Sequence, residues 1–338
     1  MKKILICFLS LLVLAAAGAQ KPKEKKPPKP KKAWYEAKQP KYAQSDLGRV
    51  YRQSVQLRNT SQGDIYKPIS IRVGDLEKGP QATVIYDTEA MRMAAAIPDR
   101  FLMFNEYRNG LGGAGNWVGA PYLLQTRKGP GFAKGGSFAD PRAKGRHALP
   151  EDWAVYKGNY RYGERVVLSY RVGGVDVLES PWVISHNRHK AITRAFEFAP
   201  VPGDREIRMN VCSVDGAEKT EIRDGKLGVI HHAGQLTAVT VTDGVTLVAE
   251  GKGTLRLRVN PRTHPRIMLQ IWTGDPAMLP SIKATGEVLP LSEWIKGGPA
   301  VWTETIVTRG SLGAADKSFA VDTITPPFDN PYKALFFM

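Results

Sequence analysis

The sequence predicts an all-β protein: a large antiparallel β-sandwich, of up to supersandwich size, with few short helices. Three observations predict it. Short runs rich in Val, Ile, Thr and aromatic residues recur between turns that carry glycine. Several of these runs alternate apolar and polar residues with period two. The folded part contains no amphipathic helix of three or more turns.

Met1-Lys2-Lys3, an apolar run from Ile4 to Leu14 and the small-residue site Ala17-Gly18-Ala19 read as a cleavable signal peptide over residues 1–19. The apolar run is short for a bilayer span. Residues 20–45 follow as a basic Lys/Pro-rich linker. Lys21 to Lys32, "KPKEKKPPKPKK", buries nothing and favours extended backbone. Of the net charge of +16, +2 leaves with the signal, +6 sits in this stretch and +8 remains. Export makes an anionic envelope surface the natural counter-charge and argues against nucleic acid. Cys7 leaves with the signal, so Cys212 is the one thiol of the mature chain, with no internal disulfide. It sits in an alternating run, Arg208 to Val214, and reads as a buried, inert thiol.

The sandwich is expected over residues 46–325. Strands are predicted at Ile69–Val73, Thr83–Tyr86, Met91–Ala96, Ile267–Trp272 and Trp302–Val307. Hairpins are predicted where Arg165–Val172 turns at Gly173-Gly174 into Val175–Ser180, and where Leu236–Thr242 turns at Asp243-Gly244 into Val245–Ala249. A third turns at Gly251-Lys252-Gly253 into Thr254–Val259. Short helical turns are expected at Leu291–Lys296 and near Pro150–Trp153. The G-x-G-x-x-G of "NGLGGAGNW" (Gly110, Gly112, Gly115) is not a dinucleotide fingerprint. Gly119 and Pro121 follow where the phosphate-capping helix would start, and no βαβ unit surrounds it.

Candidate chemistry is sparse. His186 and His189 lie after Pro181-Trp182 in what reads as a basic loop, and His231-His232 are adjacent; neither pair has the helix or interleaved carboxylate of a zinc motif. Asp87 and Glu89 could pair as acid and base but sit where two strands need a turn. No G-x-S-x-G elbow occurs. Aromatic residues cluster between the glycine loop and the first hairpin. Trp117, Tyr122, Trp153, Tyr156 and Tyr160 are the candidate ligand platforms, with core capping as the competing role for these and for Phe132, Phe138 and Tyr162.

Several longer stretches carry a resemblance: "YKPISIRVG", "VIYDTEAMRMAAAI", "KGGSFADPRAKGRHALPEDWAVYKGNYRYGERVVLSYRVGGVDVLESP" and "FAVDTITPPFDNPYKALFFM". Together they resemble the uncharacterised N-terminal domain of large exported planctomycete and verrucomicrobial proteins. In these, the domain precedes a sorbosone-dehydrogenase-like propeller and a c-type cytochrome module. The resemblance implies an accessory domain of an extracytoplasmic, cytochrome-associated protein and carries over no catalytic residue. Residues 326–338 then read as the start of a truncated following domain or as a linker. No C-x-x-C-H motif is present, so haem would belong elsewhere.

The expected function is that of an exported, periplasmic or extracellular, non-catalytic binding domain with no cofactor of its own. Its expected partners are a polysaccharide, the envelope surface, or a propeller or cytochrome domain; no transmembrane segment is expected after cleavage. Two alternatives stay open. One is a carbohydrate-active or mutarotase-like enzyme with a carboxylate/His pair in a sandwich cleft, for which Asp87, Asp140, Asp152, Glu179 and His186 are the residues to inspect. The other is a structural spacer.

Overall fold

A computed structural model describes residues 48–78, 81–104, 116–186, 189–281, 288, 290–300, 303–316 and 318–331. The signal peptide, the Lys/Pro linker, the glycine loop and the last seven residues lie outside them.

The first strands are β1 (Val50–Arg52), β2 (Val55–Leu57), β3 (Gly63–Ile65), β4 (Pro68–Val73), β5 (Ala82–Asp87), β6 (Arg92–Pro98), β7 (Asn116–Val118) and β8 (Leu124–Gln125). The long central ones are β9 (Ala154–Tyr162), β10 (Arg165–Val172), β11 (Val175–His186) and β12 (His189–Phe198). The last are β13 (Ile207–Ser213), β14 (Lys219–Arg223), β15 (Leu227–His232), β16 (Gln235–Val241), β17 (Val245–Ala249), β18 (Thr254–Val259) and β19 (Arg266–Gly274).

They form an eight-stranded sheet in the order β14-β15-β16-β19-β12-β11-β10-β9, a five-stranded sheet β1-β4-β5-β6-β8, and three-stranded sheets β13-β18-β17 and β3-β2-β7. Pairing is antiparallel except between β2 and β7. The expected all-β, sandwich-like architecture is therefore observed, with no closed barrel among the described residues.

Period two explains the layering. On β12, Ile192, Phe196 and Phe198 join a core shared with Val84 and Tyr86 of the five-stranded sheet and Leu255 and Leu257 of a three-stranded one. The opposite face of the eight-stranded sheet is also covered. Ala195 and Val167 pack under Leu291, Trp294 and Ile295, and Trp272, Val229 and Ala238 pack under Met278 and Leu279. Two 3-10 segments, Pro276–Ser281 and Leu291–Lys296, supply these lids. The second is the helical turn expected there. Trp153 closes a turn by bonding Pro150 O at 2.8 Å.

The Gly173-Gly174 hairpin forms in the expected register, Val172 opposite Val175, with φ of 54° and 83° at the two glycines. The Gly251–Gly253 hairpin forms between β17 and β18. Three expectations are corrected. Asp243-Gly244 is not a hairpin turn: β16 pairs with β15 and β19, while β17 pairs with β18, so this dipeptide carries the chain from one sheet to another. The segment around His186 and His189 is not a loop, because β11 and β12 run on past Pro181 until these histidines stand opposite each other. Pro181 is tolerated because it lies beyond the last rung that β11 shares with β10, Leu168 opposite Glu179. Finally, residues 303–307 form no strand. Val307 is exposed, and a strand without a partner has nowhere to place its backbone hydrogen bonds.

Candidate functional site

A concavity of about 720 Å³ opens at one end of the sandwich. Register places its floor. Trp272 of β19 stands between Ala238 and Ala191, and Thr273 stands opposite Thr237. The tips of the β15–β16 and β11–β12 hairpins therefore flank the end of β19, bringing His232 and Gln235 to one side and His189 and Lys190 to the other. The facing wall comes from the five-stranded sheet and its loops: Asp99, Leu123 and Gln125, with Asn59 and Asp215 at the rim.

A hydrogen-bond relay ties the walls together and sets a proton position. Thr273 Oγ1 donates to Leu123 O at 3.1 Å, and a carbonyl can only accept. Thr273 Oγ1 therefore accepts from Thr237 Oγ1 at 2.9 Å. Thr237 has then spent its proton and accepts from His232 Nε2 at 3.0 Å. His232 thus carries its proton on Nε2, leaving Nδ1 as an acceptor. Burial lowers its pKa, against Glu218, which raises it, with His231 adding to the lowering. The imidazole is neutral near pH 7. His189 meets Trp272 edge-on at 6.2 Å.

The cleft carboxylates are committed. Asp99 pairs with Lys190, whose Nζ also donates to Gln81 O at 3.1 Å. Asp215 accepts from Ser61 Oγ at 2.7 Å and from its backbone N–H. Asn59, Gln125 and Gln235 add neutral amides to the lining. Among the described residues no group of three or more His, Cys, Asp or Glu converges to hold a metal ion. No helix there is long and apolar enough to cross a membrane.

The sequence-derived candidates fall mostly elsewhere. Asp87 is buried, ion-paired with Arg92 at 3.2 Å, and accepts from the N–H groups of Glu89 and Ala90, which is the turn chemistry expected of it. Burial and the Asp87 carboxylate raise the pKa of half-buried Glu89. Asp140 is gripped by Arg142 at 2.8 Å; burial opposes ionisation, but Arg142 holds its carboxyl below the usual range. Asp152 is exposed and paired with Lys134. Glu179 is fully buried between the sheets, accepting from Arg194 Nε at 2.7 Å and Tyr170 OH at 2.8 Å. The backbone of His186 ends β11 opposite His189. These residues do not come together in one cleft.

Of the aromatic candidates, only Tyr122 lines the cleft, and its hydroxyl is donated to Arg58 O at 2.7 Å. Trp153 takes the core role: it is buried, with Nε1 donating to Phe132 O at 2.9 Å. Arg58 covers the ring of Trp117 at 3.7 Å from its centroid. Tyr156 is half-buried and bonds Asn159. Tyr160 is exposed.

A family model described as a domain of unknown function (DUF6797) matches residues 84–179. No curated protein matches the chain. The matched segment runs from β5 into β11, so it holds Asp99, Tyr122 and Gln125 on one wall of the cleft. The opposite wall, with Lys190, His232 and Trp272, lies outside it.

Proposed function

We propose that the chain is a non-catalytic binding domain, exported by its N-terminal leader, whose cleft takes a neutral polyhydroxylated ligand, a carbohydrate. The carrying observation is the His232–Thr237–Thr273 relay, which leaves a neutral acceptor on His232 in a cleft that Asn59, Gln125 and Gln235 also line. Adjacent sugar hydroxyls both donate and accept, and amides with a neutral imidazole answer both without burying a net charge. The accessory role beside a cytochrome-bearing domain, implied by the resemblance, belongs to this proposal.

The enzyme reading draws on one observation: histidines and carboxylates line the same cleft. General acid–base catalysis needs a carboxylate free to exchange its proton with substrate. Asp99 and Asp215 are held by Lys190 and Ser61, so binding without turnover is favoured.

Affinity electrophoresis through gels of neutral polysaccharides, followed by calorimetry with the matching oligosaccharide, tests this. Gln125→Ala or Gln235→Ala should each weaken binding by about 2- to 13-fold, the worth of one hydrogen bond at ~0.5–1.5 kcal/mol. Binding should fall as pH drops through the lowered pKa of His232, below 6.5, where Nδ1 becomes a donor. Retardation by no polysaccharide, or equal retardation of both variants, would sink the cleft reading; hydrolysis or epimerisation of the ligand would favour the enzyme.

A further inference from the structure

Among the described residues, seven of the ten large hydrophobic side chains that stand exposed lie between Ile306 and Phe328, with Phe319 at 88%. This stretch has a shape. Ser311 and Thr323 exchange backbone hydrogen bonds at 3.0 and 2.8 Å, and the Gly313 N–H donates to Asp322 at 2.9 Å. A Cβ on Gly310 or Gly313 would come within 2.5 or 2.4 Å of the facing backbone, so glycine lets the two arms close into a narrow finger. Leu312, Phe319, Val321 and Ile324 are presented outward. Exposed apolar surface concentrated in this way marks an interface.

Charge identifies the occupant. Residues 303–331 carry Glu304, Asp316, Asp322 and Asp329 against Arg309 and Lys317, in a chain of net charge +16. The complement lies on the same molecule, where Arg256 and Arg258 point away from the core that Leu255 and Leu257 enter. A groove of about 260 Å³ there is walled by Phe138, Val248 and Leu257 and edged by Arg208, Arg256 and Arg258. Glu206 and Glu250 answer part of that charge. Arg256 lies 3.9 Å over the ring of Phe138 with Glu250 at its guanidinium, and burial, then nearby Arg127, lowers its pKa. Phe319, flanked in sequence by Asp316 and Asp322, offers an aromatic group with acids on both sides.

We propose that the finger of one copy docks in the Arg208–Arg256–Arg258 groove of a second copy, reciprocally, to form a two-fold dimer. A stable interface buries about 800 Å² per partner. One aromatic side chain contributes ~150–250 Å², and four outward apolar side chains exchanged in both directions bring the contact to that scale.

Light scattering coupled to gel filtration, run over a broad range of concentrations on the full chain, reads the result as mass. The wild type should be a dimer. Phe319→Asp, and separately Arg208→Glu with Arg258→Glu, should raise its dissociation constant at least tenfold, with circular dichroism unchanged because the finger packs on no core. Combining the arginine reversals with Asp316→Lys, which leaves the Asp322–Gly313 bond intact, should lower the dissociation constant again. A monomer at every concentration, as expected if the finger serves a different protein, overturns the proposal; so does a dimer indifferent to Phe319→Asp. Mass is read without saccharide, so failure here leaves the cleft reading standing.

Discussion

Glu179 is as buried as any leucine, and its partners explain how that is tolerated. Its two oxygens accept from Arg194 and Tyr170, while Arg194 lies over Phe196 at 5.0 Å. Burial, then the Glu179 charge, holds Tyr170 and neighbouring Tyr86 protonated, with pKa well above the ordinary value. Removing one member of such a pair leaves an uncompensated charge in the core. Glu179→Ala should therefore cost about 3–5 kcal/mol in urea unfolding, and Glu179→Met with Arg194→Met should cost less than the single change. A double variant less stable than either single one would contradict this. By charge alone Glu179 reads as a candidate cleft acid. The better signal is parity: Glu179 shares its face with Val175 and Val177, and Arg194 shares its own with Ile192 and Phe196, so both point inward. Cys212 was legible for the same reason; burial pushes its thiol up to about 12.

At the scale of elements, turn chemistry says where the chain reverses but not which strand it then joins. Gly173-Gly174 and Asp243-Gly244 look alike in sequence, yet only the first closes a hairpin. Gly244 instead meets a residue distant in sequence: the ring of His264 lies where a Cβ on Gly244 would stand, within 1.9 Å. The cleft was hidden for a related reason. His189, His232 and Trp272 come from three strands, and only the order β15-β16-β19-β12 makes them neighbours. Gly131 offers a direct test of how the sheets are joined. Its N–H donates to Ala90 O at 2.7 Å and its carbonyl accepts from Asn210 N at 2.8 Å, linking the β5–β6 turn to β13. A Cβ there would stand 2.0 Å from Met91 O. Gly131→Ala should lower stability by about 1–3 kcal/mol or more, as overpacking does; an unchanged midpoint in thermal unfolding would show that the link is loose.

For the whole molecule, the core shared by three of the four sheets bears most on how it unfolds. The cluster around Phe196 draws on β4 and β5 of the five-stranded sheet, β10, β12 and β19 of the eight-stranded sheet, and β13 and β18 of a three-stranded sheet. None of these three sheets can leave without exposing the apolar face of another. Ties between layers reinforce this: Thr273 bonds Leu123, Lys190 bonds Gln81, and Trp153 bonds Phe132. The sheets should therefore unfold together although the chain exceeds the size at which two-state behaviour is usual, under about 150 residues. Far-ultraviolet circular dichroism and tryptophan fluorescence should report coincident urea transitions in the wild type. Trp153→Ala, losing about 3–5 kcal/mol of core packing, should move both curves together. Two separated transitions, or a fluorescence change that precedes loss of strand signal, would mean that the core is two cores and that the cleft between the sheets can open without the rest.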